Sequence, residues 1–281
     1  MEEPLRQSDD NKFIPISSVS AGKGQEIWPD LYCYTNQIVN IVFVGNTTNE
    51  DWVLIDAGMP HSGPKILEEA AKRFTVTRPR AILLTHGHFD HVGGITKLLE
   101  EWDVPVFAHP LEVPYLTGER DYPEPDTSVE GGLLAKISSV YPHKSINIST
   151  ALSPLPADGS VPFMPGWKWL HTPGHSPGHV SFFRESDKVL IAGDAFITVR
   201  ADSLYKVLMQ KEEVNGPPRY LTTDWQLAWE SVKKLDALKP GIAITGHGTP
   251  MGGEELRQGL KKLVDEFDTL AIPSHGRFVG K

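Results

Sequence analysis

A short apolar run that leads directly into a cluster of histidines and acids constrains this chain more than any other feature. Ala81–Leu84 is apolar throughout, the pattern of a strand covered on both faces, and His86, His88, Asp90 and His91 follow at once. Residues two apart in an extended segment point the same way, so His86 and His88 can reach one metal ion together. Asp90 and His91 follow where the chain turns into a helix, and can reach a second position nearby. The sequence therefore predicts a metal-binding loop at the end of a buried strand.

The donor types in this loop indicate which metals it would hold. Imidazole nitrogens and carboxylate oxygens without a thiolate suit zinc, manganese or iron. Gly87, Gly93 and Gly94 let the backbone of the loop pack closely. The alternative interpretation is a surface turn in which these residues met by chance, because short motifs produce false matches.

Three further candidate ligands lie downstream, each after a strand-like run. His175 lies in T-P-G-H-S-P-G-H, Asp194 ends I-A-G-D, and His247 lies in T-G-H-G. Each signal is weak alone, since a single histidine in a glycine-rich turn is usually an ordinary polar loop residue. Together with the upstream loop they supply enough donors for two ligand sets.

Strands and helices alternate along most of the chain. Strand-like runs cover Leu31–Thr35, Val39–Val44, Trp52–Ile55, Val104–Ala108, Trp167–His171, Val180–Arg184, Lys188–Ala192 and Ile242–Thr245. Apolar spacing and end signals indicate helices at Lys65–Arg73, Ile95–Trp102, Val129–Val140, Asp224–Leu238 and Glu254–Leu270. The segment W-V-L-I-D-A-G at 52–58 is echoed by K-V-L-I-A-G-D at 188–194, which suggests two related halves. Packed sheet against sheet with helices outside, they predict an α/β fold, an αββα four-layer sandwich of two mixed β-sheets.

The predicted domain organisation is a disordered tail over residues 1–12 and a single domain over residues 13–281. Residues 110–150 change character, with prolines, tyrosines and polar residues around one weakly helical stretch. Insertions on a rigid scaffold often form lids or substrate pockets, so we predict a lid insertion here. A dimer contact is the alternative for this segment.

Charge and composition restrict the partners. The formal net charge of −9 over 281 residues argues against a surface that binds nucleic acid or an anionic membrane. The first ten residues are acidic and polar, whereas a secretory signal is basic and then apolar. The single cysteine, Cys33, excludes an intramolecular disulfide. We therefore expect a cytoplasmic protein with a small-molecule substrate and without nucleic-acid or membrane partners; a homodimer is compatible with the sequence.

The motifs THxHxDHxGG, TPGHSPGH, GD and GHG occur in this order and resemble those of the metallo-β-lactamase superfamily, over about residues 30 to 270. The resemblance implies the metallo-β-lactamase fold and a glyoxalase II or lactonase-like branch of its hydrolases. By this resemblance seven residues hold two metal ions: His86, His88 and His175 the first, Asp90, His91 and His247 the second, with Asp194 bridging. By the same resemblance Asp56 would lie behind the ligands, where a carboxylate fixes the tautomer of a metal-binding histidine; a cap at the end of its strand is the alternative role. His179, four residues beyond His175, is predicted to lie behind the ligands too, with a purely structural role as the alternative.

The implied mechanism follows from the two metal charges. Two divalent ions about 3.5–4 Å apart can share one water and lower its pKa from far above the physiological range to about 7. The bridging hydroxide then attacks an ester, lactone, thioester or similar bond. The catalytic carboxylates are Asp194, as the bridging ligand, and Asp90, which can also shuttle a proton. We expect zinc, with manganese or iron as alternatives.

Departures from known subgroups narrow the substrate. Authentic β-lactamases of the superfamily generally lack the bridging aspartate, which is present here as Asp194. Lactonases often carry a tyrosine three residues past that aspartate, where this chain has Ile197. Tyr205 and Tyr220 are the predicted substrate-binding residues, in a pocket that favours a small substrate with an apolar part. Packing of the insertion onto the body is the alternative role for these aromatic residues.

Two other classes of function stay open. The first is a mononuclear iron oxidoreductase like the persulfide dioxygenases, which use only His, His and Asp on the metal. The second is a non-catalytic metal-binding or partner-docking protein. A complete set of seven ligands favours the hydrolase, because a non-catalytic site need not keep a bridging carboxylate.

Overall fold

The computed structural model describes residues 4–48, 51–130, 138–199 and 212–280. The chain divides into two compact units. Unit 1 comprises Met1–Ile16, Ala21–Tyr122 and Pro142–Pro165, and unit 2 comprises Ser17–Ser20, Pro123–Tyr141 and Gly166–Lys281. Residues 110–150 contribute to both units, and the predicted lid role of this segment stays a prediction.

Unit 1 is built on a seven-stranded mixed sheet whose strand order follows the chain. Its strands are β1 (Gly24–Trp28), β2 (Leu31–Asn36), β3 (Val39–Gly45), β4 (Trp52–Ile55), β5 (Ala81–Leu83), β6 (Val106–Ala108) and β7 (Leu152–Pro154). Strands β1 to β4 pair antiparallel, and β4 to β7 pair parallel. Because β4 and β5 are parallel, the segments that follow them leave the sheet at the same edge.

Four helices of unit 1 are described: α1 (Gly63–Arg73), α2 (Phe89–Val92), α3 (Ile95–Trp102) and α4 (Val113–Leu116). Pro64 lies in the first turn of α1, where its missing N–H is no loss. Trp52 is fully buried in the core of this unit. Its ring stacks on Phe74 with centroids 4.1 Å apart and meets Trp102 edge-on at 5.7 Å. Truncation of such a residue to alanine typically costs about 3–5 kcal/mol.

The N-terminal residues of unit 1 include part of the predicted tail. The Arg6 N–H donates to the Asn147 carbonyl at 2.8 Å, and the Asn147 N–H donates back to the Arg6 carbonyl at 2.7 Å. The Gln7 side chain donates to the carbonyls of Val92 and Gly93, each at 3.3 Å. The predicted division into a tail and one domain stays a prediction.

Unit 2 contains a five-stranded mixed sheet in the order β14-β13-β10-β9-β8 and a two-stranded sheet of β11 and β12. These strands are β8 (Trp167–His171), β9 (Val180–Arg184), β10 (Val189–Gly193), β11 (Ile197–Val199), β12 (Glu212–Asn215), β13 (Ile242–Thr245) and β14 (Met251–Gly252). The helices are α5 (Trp225–Ala237), α6 (Gly253–Asp265) and α7 (Phe267–Leu270). Strand β10 is parallel to β13 and antiparallel to β9, so the segments after β10 and β13 also leave at one edge.

The predicted α/β class with two mixed sheets is confirmed. One element differs: the predicted helix Glu254–Leu270 is interrupted at Glu266, whose φ of −121° and ψ of 27° are not helical. The interruption accompanies burial of Phe267, whose ring stacks on Trp229 at 6.2 Å. Of the predicted helix Val129–Val140, residues 131–137 lie outside the described residues, and Ser138–Val140 form a 3₁₀ turn. None of the helices in the described ranges is long and apolar enough to cross a bilayer.

Candidate metal centre

The first group of predicted ligands lies at the edge of the unit 1 sheet where β4 and β5 end. The loop after β5 carries His86 and His88, and α2 carries Asp90 and His91. The His86 ring centroid is 4.6 Å from that of His88 and 4.1 Å from that of His91. Asp90 Oδ2 lies 4.0 Å from His91 Nε2. All four side chains are buried, so unit 1 brings four metal-binding groups together away from water.

Asp56, directly after β4, holds this loop in place. Its Oδ1 accepts a hydrogen bond from the Thr85 N–H at 2.8 Å. Its Oδ2 accepts from the Thr85 hydroxyl and from His91 Nδ1, each at 2.8 Å. The φ of Asp56 is 63°, in the left-handed region that aspartate and asparagine enter more readily than most residues. The backbone turn therefore aims the carboxylate at the segment that follows the neighbouring parallel strand.

The same hydrogen bonds assign the protonated nitrogen of two histidines. Because Asp56 can only accept, His91 Nδ1 carries the proton. The Thr85 hydroxyl donates to Asp56, so it accepts from His86 Nδ1, 3.0 Å away. In both rings the metal-donor lone pair then belongs to Nε2. Asp56 sets the tautomer of one histidine directly and that of the other through Thr85.

The second group of predicted ligands lies within unit 2. Asp194 follows β10, and His247 follows the parallel strand β13. His247 Nε2 lies 3.3 Å from Asp194 Oδ2, and His175 Nε2 lies 3.5 Å from the same oxygen. Asp194 is 1% exposed, and both histidines are buried. One carboxylate oxygen is therefore close to two imidazole nitrogens.

Thr222 fixes the tautomer of His175. Its hydroxyl donates to the Pro218 carbonyl at 2.8 Å, so it accepts from His175 Nδ1 at 3.1 Å. The lone pair of His175 consequently belongs to Nε2, the atom that faces the Asp194 carboxylate. Two electron-pair donors in such proximity are stabilised by a cation, because buried charges in proteins are paired or coordinate metals.

His179 supports the backbone at Asp194. Its Nε2 accepts from the Asp194 N–H at 2.9 Å, so Nδ1 carries the proton and donates to the Thr172 hydroxyl at 2.9 Å. The Thr172 hydroxyl then donates to Ser181 Oγ at 3.0 Å, and Ser181 donates to the Ala192 carbonyl at 2.9 Å. Each donor in this series of hydrogen bonds has an acceptor, so the direction of every bond from Asp194 to Ala192 is determined.

The two buried groups fit a divalent metal by their chemistry. Each combines imidazole nitrogens with a carboxylate oxygen, the donor set that zinc, manganese and iron share. Cys33, the only cysteine in the sequence, lies in β2 of unit 1. Burial raises the pKa of the Cys33 thiol to about 12, so it is a neutral core residue at physiological pH.

The predicted substrate residues have different outcomes. Tyr205 lies at 200–211, outside the described residues. Tyr220 is buried, with its ring centroid 5.5 Å from that of Tyr141, and its carbonyl accepts from the Asp126 N–H at 2.8 Å. These contacts pack Tyr220 against the part of the 110–150 segment that belongs to unit 2. A substrate role for either tyrosine stays a prediction.

Sequence reasoning missed the threonines that orient the histidines. Thr85 is the first residue of the THxHxDHxGG motif, and this position directly before His86 is a signal that could have identified its role. Thr222 is 47 residues from His175 in the chain, and no local pattern connects the two. Such pairs become visible only when the fold brings the residues together.

Comparisons with known proteins place this chain in a family. The family model of the metallo-beta-lactamase superfamily matches residues 34–247. The chain is 46% identical over 260 residues to "Probable metallo-hydrolase YflN" of Bacillus subtilis (strain 168), covering 92% of this chain and 98% of that protein. It is 26% identical over 230 residues to "N-acyl homoserine lactonase" of Bacillus thuringiensis, covering 71% and 78%. A crystal structure of TTHA1623 in a di-iron-bound form matches with a TM-score of 0.52 and 30% identity, covering 76% of this chain and 89% of that one.

Proposed function

The chain belongs to the metallo-β-lactamase superfamily and is a metallo-hydrolase, and from this premise we propose that it is a dinuclear, zinc-dependent hydrolase of small-molecule esters, lactones or thioesters. The observation that carries the proposal is the Asp194 carboxylate, whose Oδ2 lies within 3.5 Å of the Nε2 atoms of His175 and His247. A carboxylate has several lone pairs and can serve two ions at once. This arrangement is suited to a bridging ligand.

The ligand assignment in this proposal follows the family motifs. The proposed ligands are His86, His88 and His175 for one ion, Asp90, His91 and His247 for the other, and Asp194 for both. The Nδ1 hydrogen bonds of His86, His91 and His175 support it, because each leaves Nε2 as the metal donor. Burial of all seven side chains adds support.

The chain's own residues have distinct roles in the proposed reaction. Two divalent ions held by these residues would supply Lewis acidity and lower the pKa of water enough to provide a hydroxide nucleophile near neutral pH. Asp90 can hold a proton and pass it to the leaving group. Asp56 keeps Nδ1 of His91 protonated, and the buried surroundings strengthen every charge interaction by excluding water.

Two properties of the chain bear on the class of substrate. The similarity to a protein named as a lactonase favours a lactone or another activated acyl compound. The formal net charge of −9 disfavours a polyanionic substrate. Tyr205 and Tyr220 stay the proposed substrate contacts, and Tyr220→Phe tests one of them: an unchanged KM and kcat would remove it from the proposal.

Iron is the competing metal, because the TTHA1623 structure is a di-iron-bound form. A dinuclear iron hydrolase and a dinuclear zinc hydrolase share the same ligands and differ in the ion that gives full activity. The mononuclear iron oxidoreductase differs from both, since it would consume oxygen and hydrolyse no ester. Oxygen uptake with a persulfide substrate, in the absence of hydrolysis, would replace the hydrolase proposal.

The experiment is a hydrolysis panel on the purified protein. A lactone, an aryl ester and a thioester are each offered to the wild type, to the Asp194→Asn variant and to the chelator-treated protein. We expect hydrolysis of at least one substrate and its loss on chelation, with recovery on adding zinc. We also expect at least about hundredfold lower kcat in Asp194→Asn, because loss of a proposed ligand should cost no less than the roughly 10–100-fold typical for loss of a group that only supports a ligand. Asp187→Asn is the matched control, because Asp187 pairs with Arg184 at 2.7 Å instead of contacting the ligands. Full activity in Asp194→Asn would contradict the proposal.

A further inference from the structure

A buried carboxylate and a tyrosine lie directly behind the glycine that separates His86 from His88. The Gly87 N–H donates to Glu112 Oε2 at 2.9 Å and is also 3.1 Å from the Tyr122 hydroxyl oxygen. The Tyr122 hydroxyl donates to the same Glu112 oxygen. These three residues therefore form a closed triangle of hydrogen bonds around the peptide between the two histidines.

Glu112 is placed for this role by the segment after β6. It ends a 3₁₀ turn at Pro110–Glu112 and precedes helix α4, and its N–H donates to the His109 carbonyl at 2.9 Å. The side chain is 0% exposed. A carboxylate is buried to this extent only where hydrogen bonds or charges compensate for the lost water, and the N–H of Gly87 and the hydroxyl of Tyr122 supply two such bonds.

Tyr122 is positioned by two neighbouring aromatic rings and by a backbone hydrogen bond. Its ring stacks on Tyr115 with centroids 3.9 Å apart and planes 8° from parallel, and its N–H donates to the His143 carbonyl at 3.0 Å. The centroid of its other neighbour, the His88 ring, is 4.4 Å away. Its hydroxyl donates to Glu112, because a carboxylate can only accept a hydrogen bond. The Tyr122 ring therefore packs between the rings of Tyr115 and His88.

Gly87 is adapted to this arrangement by its missing side chain. A Cβ at Gly87 would lie 2.7 Å from the Tyr122 hydroxyl oxygen and 3.1 Å from Leu116 Cδ2. The first contact is closer than real Cβ contacts, so a side chain at this position would displace Tyr122. A glycine is therefore needed between the two histidines because of the nearby Tyr122 hydroxyl. Its backbone is not in the left-handed region, so backbone conformation does not require it.

We propose that Glu112 and Tyr122 are positioning residues that hold the His86–His88 segment in the geometry for metal binding. This inference rests on the proposed function, since it assigns the two residues to the same metal centre. Glu112 acts through the Gly87 N–H, and Tyr122 acts both through Glu112 and through the face of the His88 ring. Neither residue is proposed to touch the substrate or a metal ion.

The test is zinc affinity, measured by competition with a chromophoric chelator on metal-stripped protein. Loss of a group that orients metal ligands typically lowers affinity about 10–100-fold, and we expect losses in this range for Glu112→Leu, Tyr122→Phe and Gly87→Ala. Glu112→Gln keeps an acceptor for the Gly87 N–H and should bind zinc more tightly than Glu112→Leu. Thermal unfolding of the metal-free proteins identifies any variant that fails to fold. If Glu112→Leu fails to fold, the zinc affinity of Tyr122→Phe tests the proposal.

The double variant Gly87→Ala/Tyr122→Phe separates positioning from a general packing defect. Removal of the Tyr122 hydroxyl also removes the contact that the new Cβ would make, so the double variant should bind zinc better than Gly87→Ala alone. Two unrelated defects would instead lower the affinity further. Tyr115→Phe is the control, because it keeps the stacked ring and removes a hydroxyl that is not hydrogen-bonded to Gly87.

The outcomes distinguish this inference from the proposed function. If the wild type binds no zinc, manganese or iron, the proposed function fails, and this inference fails with it. If the wild type binds zinc, while Tyr122→Phe and Gly87→Ala stay within about twofold of the wild-type affinity or their effects simply add, only the positioning role is overturned.

Discussion

Replacement of Asp56 by asparagine is the sharpest perturbation of the first donor group. The change keeps the size of the side chain and its tolerance for the left-handed backbone, where the φ of Asp56 is 63°. Oδ1 can still accept from the Thr85 N–H. The amide NH₂ that replaces Oδ2, however, faces two donors, the Thr85 hydroxyl and His91 Nδ1, each 2.8 Å away. Both bonds are lost or reversed, and the tautomers of His91 and His86 lose their support.

The magnitude follows from the bonds at Oδ2. A hydrogen bond to a charged group contributes about 1.5–3 kcal/mol, so two of them amount to about 3–6 kcal/mol. Part of this free energy will be lost from metal binding and part from folding. Disturbed support of a metal ligand lowers affinity about 10–100-fold, or about 1.4–2.8 kcal/mol, which leaves about 0.2–4.6 kcal/mol for destabilisation of the metal-free fold.

Two measurements separate the free energy lost from metal binding from that lost from folding. Chelator competition gives the zinc affinity, and denaturant unfolding of metal-free protein gives the free energy of unfolding. Asp103→Asn is the matched control, because Asp103 also has a left-handed φ, 46°, and is exposed at the end of α3. Wild-type zinc affinity in Asp56→Asn would refute the tautomer reasoning, even if the variant were less stable.

Other residues give independent checks. Thr222→Val removes the acceptor of His175 Nδ1 and the donor to the Pro218 carbonyl, so it should lower both the zinc affinity, about tenfold, and Tm, as measured by chelator competition and thermal unfolding. Gly93→Ala places a Cβ 2.2 Å from the backbone carbon of Met59 and should destabilise the fold by at least about 1–3 kcal/mol; unchanged denaturant unfolding would contradict the close approach. Burial raises the pKa of Cys33 to about 12, so a thiol reagent at pH 8 should modify it only after unfolding. Because the pKa of Cys33 is higher in the folded state than in the unfolded state, the neutral thiol contributes fully to the free energy of unfolding up to about pH 9. This contribution is lost as the pH rises towards 12. The Cys33→Ala variant should not show that loss.

Local patterns predicted the strands and the donor loop because both depend on neighbours in the sequence. The sequence predicts a strand at Trp52–Ile55, and the structure has β4 there. A short run that is apolar at every position is typical of a strand buried on both faces of its sheet. The spacing of His86 and His88 likewise predicted that their rings lie together. The break at Glu266, which accompanies burial of the Phe267 ring, was not predicted, because no glycine or proline marks it in the sequence.

Residues that act across long separations escaped the sequence. Glu112 and Tyr122 meet Gly87 from 25 and 35 residues away, and Thr222 meets His175 from 47. Nothing in the composition of these segments distinguishes a supporting glutamate or threonine from an ordinary surface one. Their roles depend on distances and hydrogen-bond polarity, which only the folded chain supplies.

Metal content per chain tests the central claim most directly. Elemental analysis of protein purified without added metal, beside the Asp194→Ala variant, counts the ions that the chain retains. The dinuclear account predicts about two zinc ions in the wild type and a clear fall in the variant, because Asp194 is proposed to serve both ions. About one iron per chain, unchanged by the loss of Asp194, would contradict it.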